Sequence, residues 1–232
     1  MKEIADERLL KSYFKSQNLQ EIFTEKLIAD MKLFSFEKGE IVCSGGDTLT
    51  HLSLLVDGKL KVYTILPNGK SLLLRFINPL GIIGDVELMT GYEVRNTVES
   101  LNDSIMIRIS FVKLHEFAEN EPKFLNFIIK NLSHKLYTLS NTTSLNLLYP
   151  VENKFASYLV STMVDENNYA HIEELKTSKL TEIAELLGTS YRHLNRVINQ
   201  LVSKGIIERK RGAILIKDIN QLMILSKGNL YE

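Results

Sequence analysis

KLTEIAELLGTSYRHLNRVINQLVSKGIIERKRG, residues 179–212, is the stretch whose spacing decides the C-terminal fold. Leu180, Ile183, Ala184 and Leu187 recur at the period of one buried helical face. Gly188 follows, and the absence of a Cβ lets the chain reverse sharply there. Thr189 or Ser190 then supplies an N-cap, and Leu194, Val197, Ile198 and Leu201 mark a second buried face. Tyr191, Arg192, Asn195, Arg196 and Asn199 are left on the outward side. Two helices joined by so tight a turn make a helix-turn-helix, whose second helix enters the major groove and meets base edges with its early residues.

The charge distribution agrees. The 232-residue chain carries 28 basic and 28 acidic side chains, so it has no general polybasic coat. Residues 189–217 nevertheless hold seven Lys or Arg (Arg192, Arg196, Lys204, Arg209, Lys210, Arg211, Lys217) against one acid, Glu208. Such a local excess suits phosphate contacts. A hairpin around Arg211-Gly212, with strands Ile206–Glu208 and Ala213–Ile216, forms a wing. Helices over 151–164 and 218–226 complete a winged helix-turn-helix module spanning 150–232. Wing residues such as Lys210 and Arg211 reach phosphates rather than bases. Thr189 and Ser190, at a helix N-terminus, suit capping and phosphate contact alike.

Upstream, Pro122 is a permitted first-turn residue and no breaker follows until Pro150. Leu125, Ile128, Ile129, Leu132, Leu136, Leu139, Thr143 and Leu147 form a stripe along the helix so predicted. At 1.5 Å per residue it runs roughly 40 Å, more than one small domain needs to cover its core. A dimerisation helix over 121–149 is the expectation.

Between Leu33 and Ile109 the pattern changes to short apolar runs, with candidate strands at 40–43, 51–56, 59–66, 71–77, 94–100 and 103–109. Gly45-Gly46-Asp47, Asp57-Gly58 and Asn68-Gly69 separate them, and the last two read as type I′ hairpin turns with positive φ at both central residues. Short, evenly spaced strands predict a β-roll or jelly roll. With residues 1–32 read as helical, it fills an N-terminal domain over 1–120 of an α+β protein.

Composition excludes several classes. A single cysteine, Cys43, rules out an intramolecular disulfide and a cluster held by several cysteines; within Ile41-Val42-Cys43 it reads as a small buried residue. His51, His115, His134, His171 and His193 are scattered without metal-ligand spacing, so no metal is expected. A cupin-type barrel enzyme would need clustered His and Glu ligands, and a non-enzyme is expected. A cyclic-nucleotide subunit of a kinase or channel would lack the helix-turn-helix, and a pure interaction module would leave the basic face unexplained. The charged start MKEIADERLLK and the absence of any long apolar run predict a cytoplasmic protein without membrane attachment.

The whole pattern resembles the cyclic-AMP receptor/FNR family of bacterial transcription regulators from about Leu33 to Ile216. The resemblance is carried by GKLKVY (58–63), NGKSLLLRF (68–76), GIIGDVELMTGYEVRNTVES (81–100) and TEIAELLGTSYRHLNRVINQLVSKGII (181–207). GTSYRHLNRV (188–197) and KRGAILIKD (210–218) are also similar to a branch linked to starvation and stationary phase. The resemblance implies a homodimer on palindromic double-stranded DNA, with RNA polymerase as a further partner. It places Tyr191, Arg192 and Arg196 at the base-reading positions. Arg196 matches the family's arginine, whereas Tyr191 and Arg192 depart from its usual Arg-Glu pair.

In the family's effector pattern a Gly-Glu pair stands before an Arg-Ser pair, the acid taking a ribose hydroxyl and the arginine the cyclic phosphate. The corresponding residues are Gly84, Asp85, Arg95 and Asn96, with Ser140 on the long helix where the family places a serine near the base. Asp for Glu shortens the reach by one methylene, and Asn replaces Ser. The resemblance therefore points to a small anionic effector other than a cyclic nucleotide, or to no ligand. A structural ion pair between Asp85 and Arg95 is the alternative.

Overall fold

The computed structural model describes residues 1–117, 120–162, 175–176, 180–210, 213–228 and 230–231. The N-terminal part runs β1 (Lys2–Ile4), α1 (Glu7–Ser16), a 3-10 turn (Leu19–Glu21), α2 (Glu25–Ile28), β2 (Lys32–Phe36), β3 (Ile41–Cys43) and β4 (His51–Asp57). It continues through β5 (Leu60–Ile65), β6 (Ser71–Ile77), β7 (Ile82–Ile83), α3 (Asp85–Thr90), β8 (Thr97–Ser100), β9 (Ser104–Ser110) and α4 (Phe111–Phe117). The long helix α5 (Pro122–Leu148) leads to α6 (Val151–Ser161), β10 (Leu175–Lys176), α7 (Leu180–Leu186), α8 (Tyr191–Ser203), β11 (Ile207–Lys210), β12 (Ala213–Ile216) and α9 (Ile219–Ser226). The sheets have strand orders β1-β2-β9-β4-β7, β3-β8-β5-β6 and β10-β12-β11. This is the α+β architecture expected: a β-rich N-terminal domain, a long helix and a winged helix-turn-helix.

The chain packs as two compact units, Met1–Val62 with Ile77–Tyr137, and Tyr63–Phe76 with Thr138–Glu232. In the first, Leu52, Leu54 and Val56 of β4 and Ile107 and Ile109 of β9 alternate onto one face of an antiparallel sheet, where Leu54 pairs with Ile107. That face meets Phe14, Leu19, Phe23 and Leu27 from the N-terminal helices and Phe124 and Ile128 from α5. Phe23 is the centre of an aromatic cluster, 6.3 Å from Phe14, 5.9 Å from Phe124 and 6.0 Å from Phe127. Burying each such side chain contributes about 1.5–3 kcal/mol, which is why the amphipathic N-terminal helices dock.

Residues 1–32 are not helical throughout. Lys2, Glu3 and Ile4 pair antiparallel with Ser35, Phe34 and Leu33. Three residues carry no readable period, and a partner thirty positions away decides their conformation. The hairpin turns also differ from type I′, because positive φ is confined to Gly58 (+89°) and Gly69 (+78°). Asp57 and Asn68 act through their side chains instead: Asp57 Oδ1 accepts from Gly58 N–H at 2.8 Å and Asn68 Oδ1 from Lys70 N–H at 3.1 Å. A Cβ at Gly58 would collide with Ser104 Oγ and the Asp103 carbonyl, so the position admits only glycine.

In the second unit Leu180, Ile183, Ala184, Leu187, Leu194, Val197, Ile198 and Leu201 are all buried, as their spacing predicts. The first wing strand begins at Ile207, one residue later than expected, because Ile206 N–H is drawn back to Leu201 O at 3.0 Å and its carbonyl accepts from Lys217 and Asp218. The third strand of this sheet, β10, is too short to carry a period in the sequence: it pairs Leu175 with Ile214 and Lys176 with Ala213. Tyr231 is wholly buried, with its N–H on Ser161 Oγ at 2.9 Å, its carbonyl accepting from Phe76 N–H at 2.5 Å and its hydroxyl on Asn146 Oδ1 at 3.2 Å. Phe76 also stacks edge-on against Tyr158 at 5.8 Å.

Candidate nucleic-acid interface

The turn between α7 and α8 is built from backbone bonds. Gly188 takes φ +64°, its N–H donates to Glu185 O at 2.9 Å, and Thr189 N–H donates to Ala184 O at 2.8 Å. Ser190, rather than Thr189, is the N-cap: its backbone is extended and its Oγ accepts from His193 N–H at 3.2 Å. That cap fixes the start of α8, and the burial of Leu194, Val197, Ile198 and Leu201 fixes its rotation. Tyr191, Arg192, Arg196 and Asn199 are consequently exposed, and Asn195 is half-buried.

The basic footprint is smaller than the sequence count. Lys204 pairs with Glu152 at 2.7 Å and Lys217 with Glu208 at 2.6 Å. The second pair holds the Glu208 carboxyl below its usual range through the Lys217 hydrogen bond. Such exposed pairs stabilise little, but they neutralise two of the seven cations. Among the described residues Arg192, Arg196 and Lys210 make no side-chain hydrogen bond or ion pair. Arg209 donates from Nη1 to Asn195 Oδ1 at 2.9 Å, a link between wing and helix. Arg211 lies outside the described residues.

Of the effector-pattern residues, Gly84 has φ +95°, and a Cβ there would stand 2.8 Å from the His51 carbonyl. It leads into α3, where Asp85 is 1% exposed. Asp85 Oδ1 meets Lys135 Nζ from α5, which also donates to Ile82 O at 2.9 Å; Asp85 Oδ2 has no partner among the described residues. The Asp85–Arg95 ion pair is therefore not formed. Arg95 is exposed and has no side-chain partner among the described residues. Its loop is tied to the Gly45–Asp47 turn, with Gly46 N–H on Val94 O at 2.8 Å and Val94 N–H on Asp47 O at 2.9 Å. Asn96 is half-buried, and Ser140 is exposed on α5. Lys135 was missed because a partner fifty residues away leaves no local signal.

Cys43 is buried, and desolvation, reinforced by Glu87 and Asp47, pushes its thiol up to about 12. His51 accepts or donates at Nδ1 to Thr50 Oγ1 at 2.8 Å, and burial, then Arg108, lowers its pKa. Among the described residues no three His, Cys, Asp or Glu are grouped to hold a metal, and His171 lies outside them. No helix of the described residues is long and apolar enough to cross a membrane.

Residues 33–121 match the cyclic nucleotide-binding domain family, and residues 153–225 match the Crp-like helix-turn-helix domain family. The chain is 27% identical over 203 residues to Regulatory protein YeiL of Escherichia coli O157:H7, covering 88% of this chain and 89% of that protein. Its fold is similar to that of a putative Crp/FNR-family transcriptional regulator from Eubacterium rectale, with a TM-score of 0.75, 21% identity and coverage of 93% of this chain and 99% of that one. A CRP/FNR-family transcriptional regulator from Thermus thermophilus gives a TM-score of 0.69 at 22% identity, covering 85% of this chain and 99% of that one. A cyclic nucleotide-binding domain followed by a Crp-like helix-turn-helix domain places this chain in the Crp/FNR family of transcription regulators.

Proposed function

We propose that the protein is a cytoplasmic regulator that binds palindromic double-stranded operators as a homodimer. The observation that carries this reading is the pair Arg192 and Arg196, exposed and unpaired among the described residues on a helix whose other face is buried. Tyr191, Arg192 and Arg196 face the bases; an arginine at Arg196 suits the bidentate contact to guanine O6 and N7. Thr189, Ser190, Lys210 and Arg211 contact phosphates and set the register.

Dimerisation through residues 121–149 is supported by the exposure of Ile129, Leu136, Leu139 and Leu147, apolar side chains that a second copy of α5 would cover. A two-fold dimer demands inverted half-sites one helical turn apart. Residues 1–120 act as the sensor and 150–232 as the DNA-binding domain, with rotation about Tyr149-Pro150 changing the spacing of the recognition helices. RNA polymerase is the protein partner of this reading.

For the sensor, Gly84, Asp85, Arg95 and Asn96 make the effector site, and a small anion other than a cyclic nucleotide is its occupant. The unpaired guanidinium of Arg95 supports an anion. Lys135 already engages one oxygen of Asp85, which leaves Oδ2 alone to receive a ligand donor. Selection of bound sequences from random duplex DNA by the full-length protein tests the function: an inverted repeat is expected, and sequence-indifferent binding by a monomer would refute it. Melting curves unmoved by saturating cyclic AMP and cyclic GMP are expected for the sensor; stabilisation by either would assign a nucleotide.

A further inference from the structure

Asn195 lies one helical turn after Tyr191 on α8, beside Arg196, and its Oδ1 accepts from Arg209 Nη1 at 2.9 Å. Arg209 stands on β11, opposite Ile214 in the wing hairpin. The two residues are fourteen positions apart and belong to different elements. Because a guanidinium only donates, the amide must turn its oxygen towards Arg209, and the choice between the two amide orientations is made by chemistry. Among the described residues Asn195 makes no other side-chain hydrogen bond, so Nδ2 keeps both protons. Arg209 has no carboxylate partner among the described residues, so its positive charge is held over the helix by a neutral group.

We propose that Arg209 is a positioning residue that sets Asn195 as a hydrogen-bond donor on the recognition face, and that Asn195 reads a base through Nδ2. With one lone pair of Oδ1 engaged by a cation, the amide favours bases that present acceptors in the major groove. Guanine offers N7 and O6, adenine N7 and thymine O4; cytosine offers only its N4 amino donor. Asn195 therefore discriminates against cytosine at one position of each half-site. Without Arg209 the amide is free to invert, present Oδ1 and accept from that same amino group. The wing thus contributes to sequence choice through the helix while Lys210 contributes through phosphate.

The proposal rests on operator binding as argued above, and its test separates the two. Full-length wild-type protein, Asn195→Ala, Arg209→Ala, Arg209→Lys and the Asn195→Ala/Arg209→Ala double variant are each put through selection from random duplex DNA. Affinities are then measured on the selected operator and on duplexes altered at one base pair per half-site. Asn195→Ala and Arg209→Ala are each expected to lose about tenfold in discrimination against cytosine at the same position, the size of one major-groove contact. The double variant should lose no more than either single one, and Arg209→Lys should retain part of the effect. Equal weakening on every sequence by Arg209→Ala, with a smaller salt slope, would make Arg209 a phosphate contact only and overturn the positioning role. An unchanged sequence preference for Asn195→Ala would overturn base reading. Wild-type protein selecting no inverted repeat would instead overturn operator binding itself, and this inference with it.

Discussion

Lys135 of α5 reaches Asp85 of α3 and ties a carboxylate that is 1% exposed to the long helix. The same ammonium donates to the Ile82 carbonyl at 2.9 Å, so it satisfies two acceptors at the end of β7 and the start of α3. Removing the lysine would leave a buried charge without a counter-ion. Lys135→Met should cost about 3 kcal/mol in urea unfolding, with the slope unchanged. Adding Asp85→Asn should restore part of that loss, because the uncompensated charge disappears. A fully additive double variant would show that the two side chains stabilise independently.

Arg196 and Lys210 both lack a side-chain hydrogen bond or ion pair among the described residues, yet their positions give them different duties. Arg196→Ala should lose roughly 1–3 kcal/mol at one base position and relax the preference there. Lys210→Ala should weaken all sequences alike and reduce the salt slope by about one. Anisotropy titrations on the selected operator and a scrambled duplex at several salt concentrations distinguish the two; identical profiles for both variants would sink the assignment.

Legibility followed the range of the interactions. The helix-turn-helix was readable from Leu180 to Leu201 because its buried faces repeat within the helices themselves, and Gly188 marks the reversal locally. The strand at Lys2–Ile4, the Asp85–Lys135 pair and the Arg209–Asn195 hydrogen bond were not, since each depends on a partner that only the folded chain brings near. The apolar stripe on α5 has a single period in the sequence, but its residues divide between burial and exposure in the fold. Phe124 and Ile128 enter the core of the first unit, whereas Ile129, Leu136 and Leu139 stay exposed. Sequence periodicity locates apolar positions on a helix and cannot say which core, or which second chain, receives them.

Cys43 should be chemically silent in the folded protein. Burial, then Glu87 and Asp47, raises its thiol to about 12, so the reactive thiolate is scarce at neutral pH. Alkylation at pH 8 should proceed only after denaturation. The linkage has a sign: an unfolded thiol ionises from about pH 8.5 while the folded one does not, so stability falls as pH rises from there towards 12. Cys43→Ala should flatten that alkaline slope. Rapid labelling of native protein would contradict the buried, protonated thiol.

Tyr231 closes the second unit through three polar groups at once. Its N–H, carbonyl and hydroxyl join Ser161 of α6, Phe76 of β6 and Asn146 of α5. The side chain is fully buried. Tyr231→Ala should therefore cost about 3–5 kcal/mol, as other large-to-small aromatic changes do. Tyr231→Phe removes only the bond to Asn146 and should cost about 1 kcal/mol. Because Phe76 lends its N–H to Tyr231, amide exchange in the 63–76 hairpin should quicken in the alanine variant and stay near wild type in the phenylalanine one. Exchange in the hairpin indifferent to both substitutions would mean that the strand is held by its ladder alone, and that the tail follows the fold rather than fastening it.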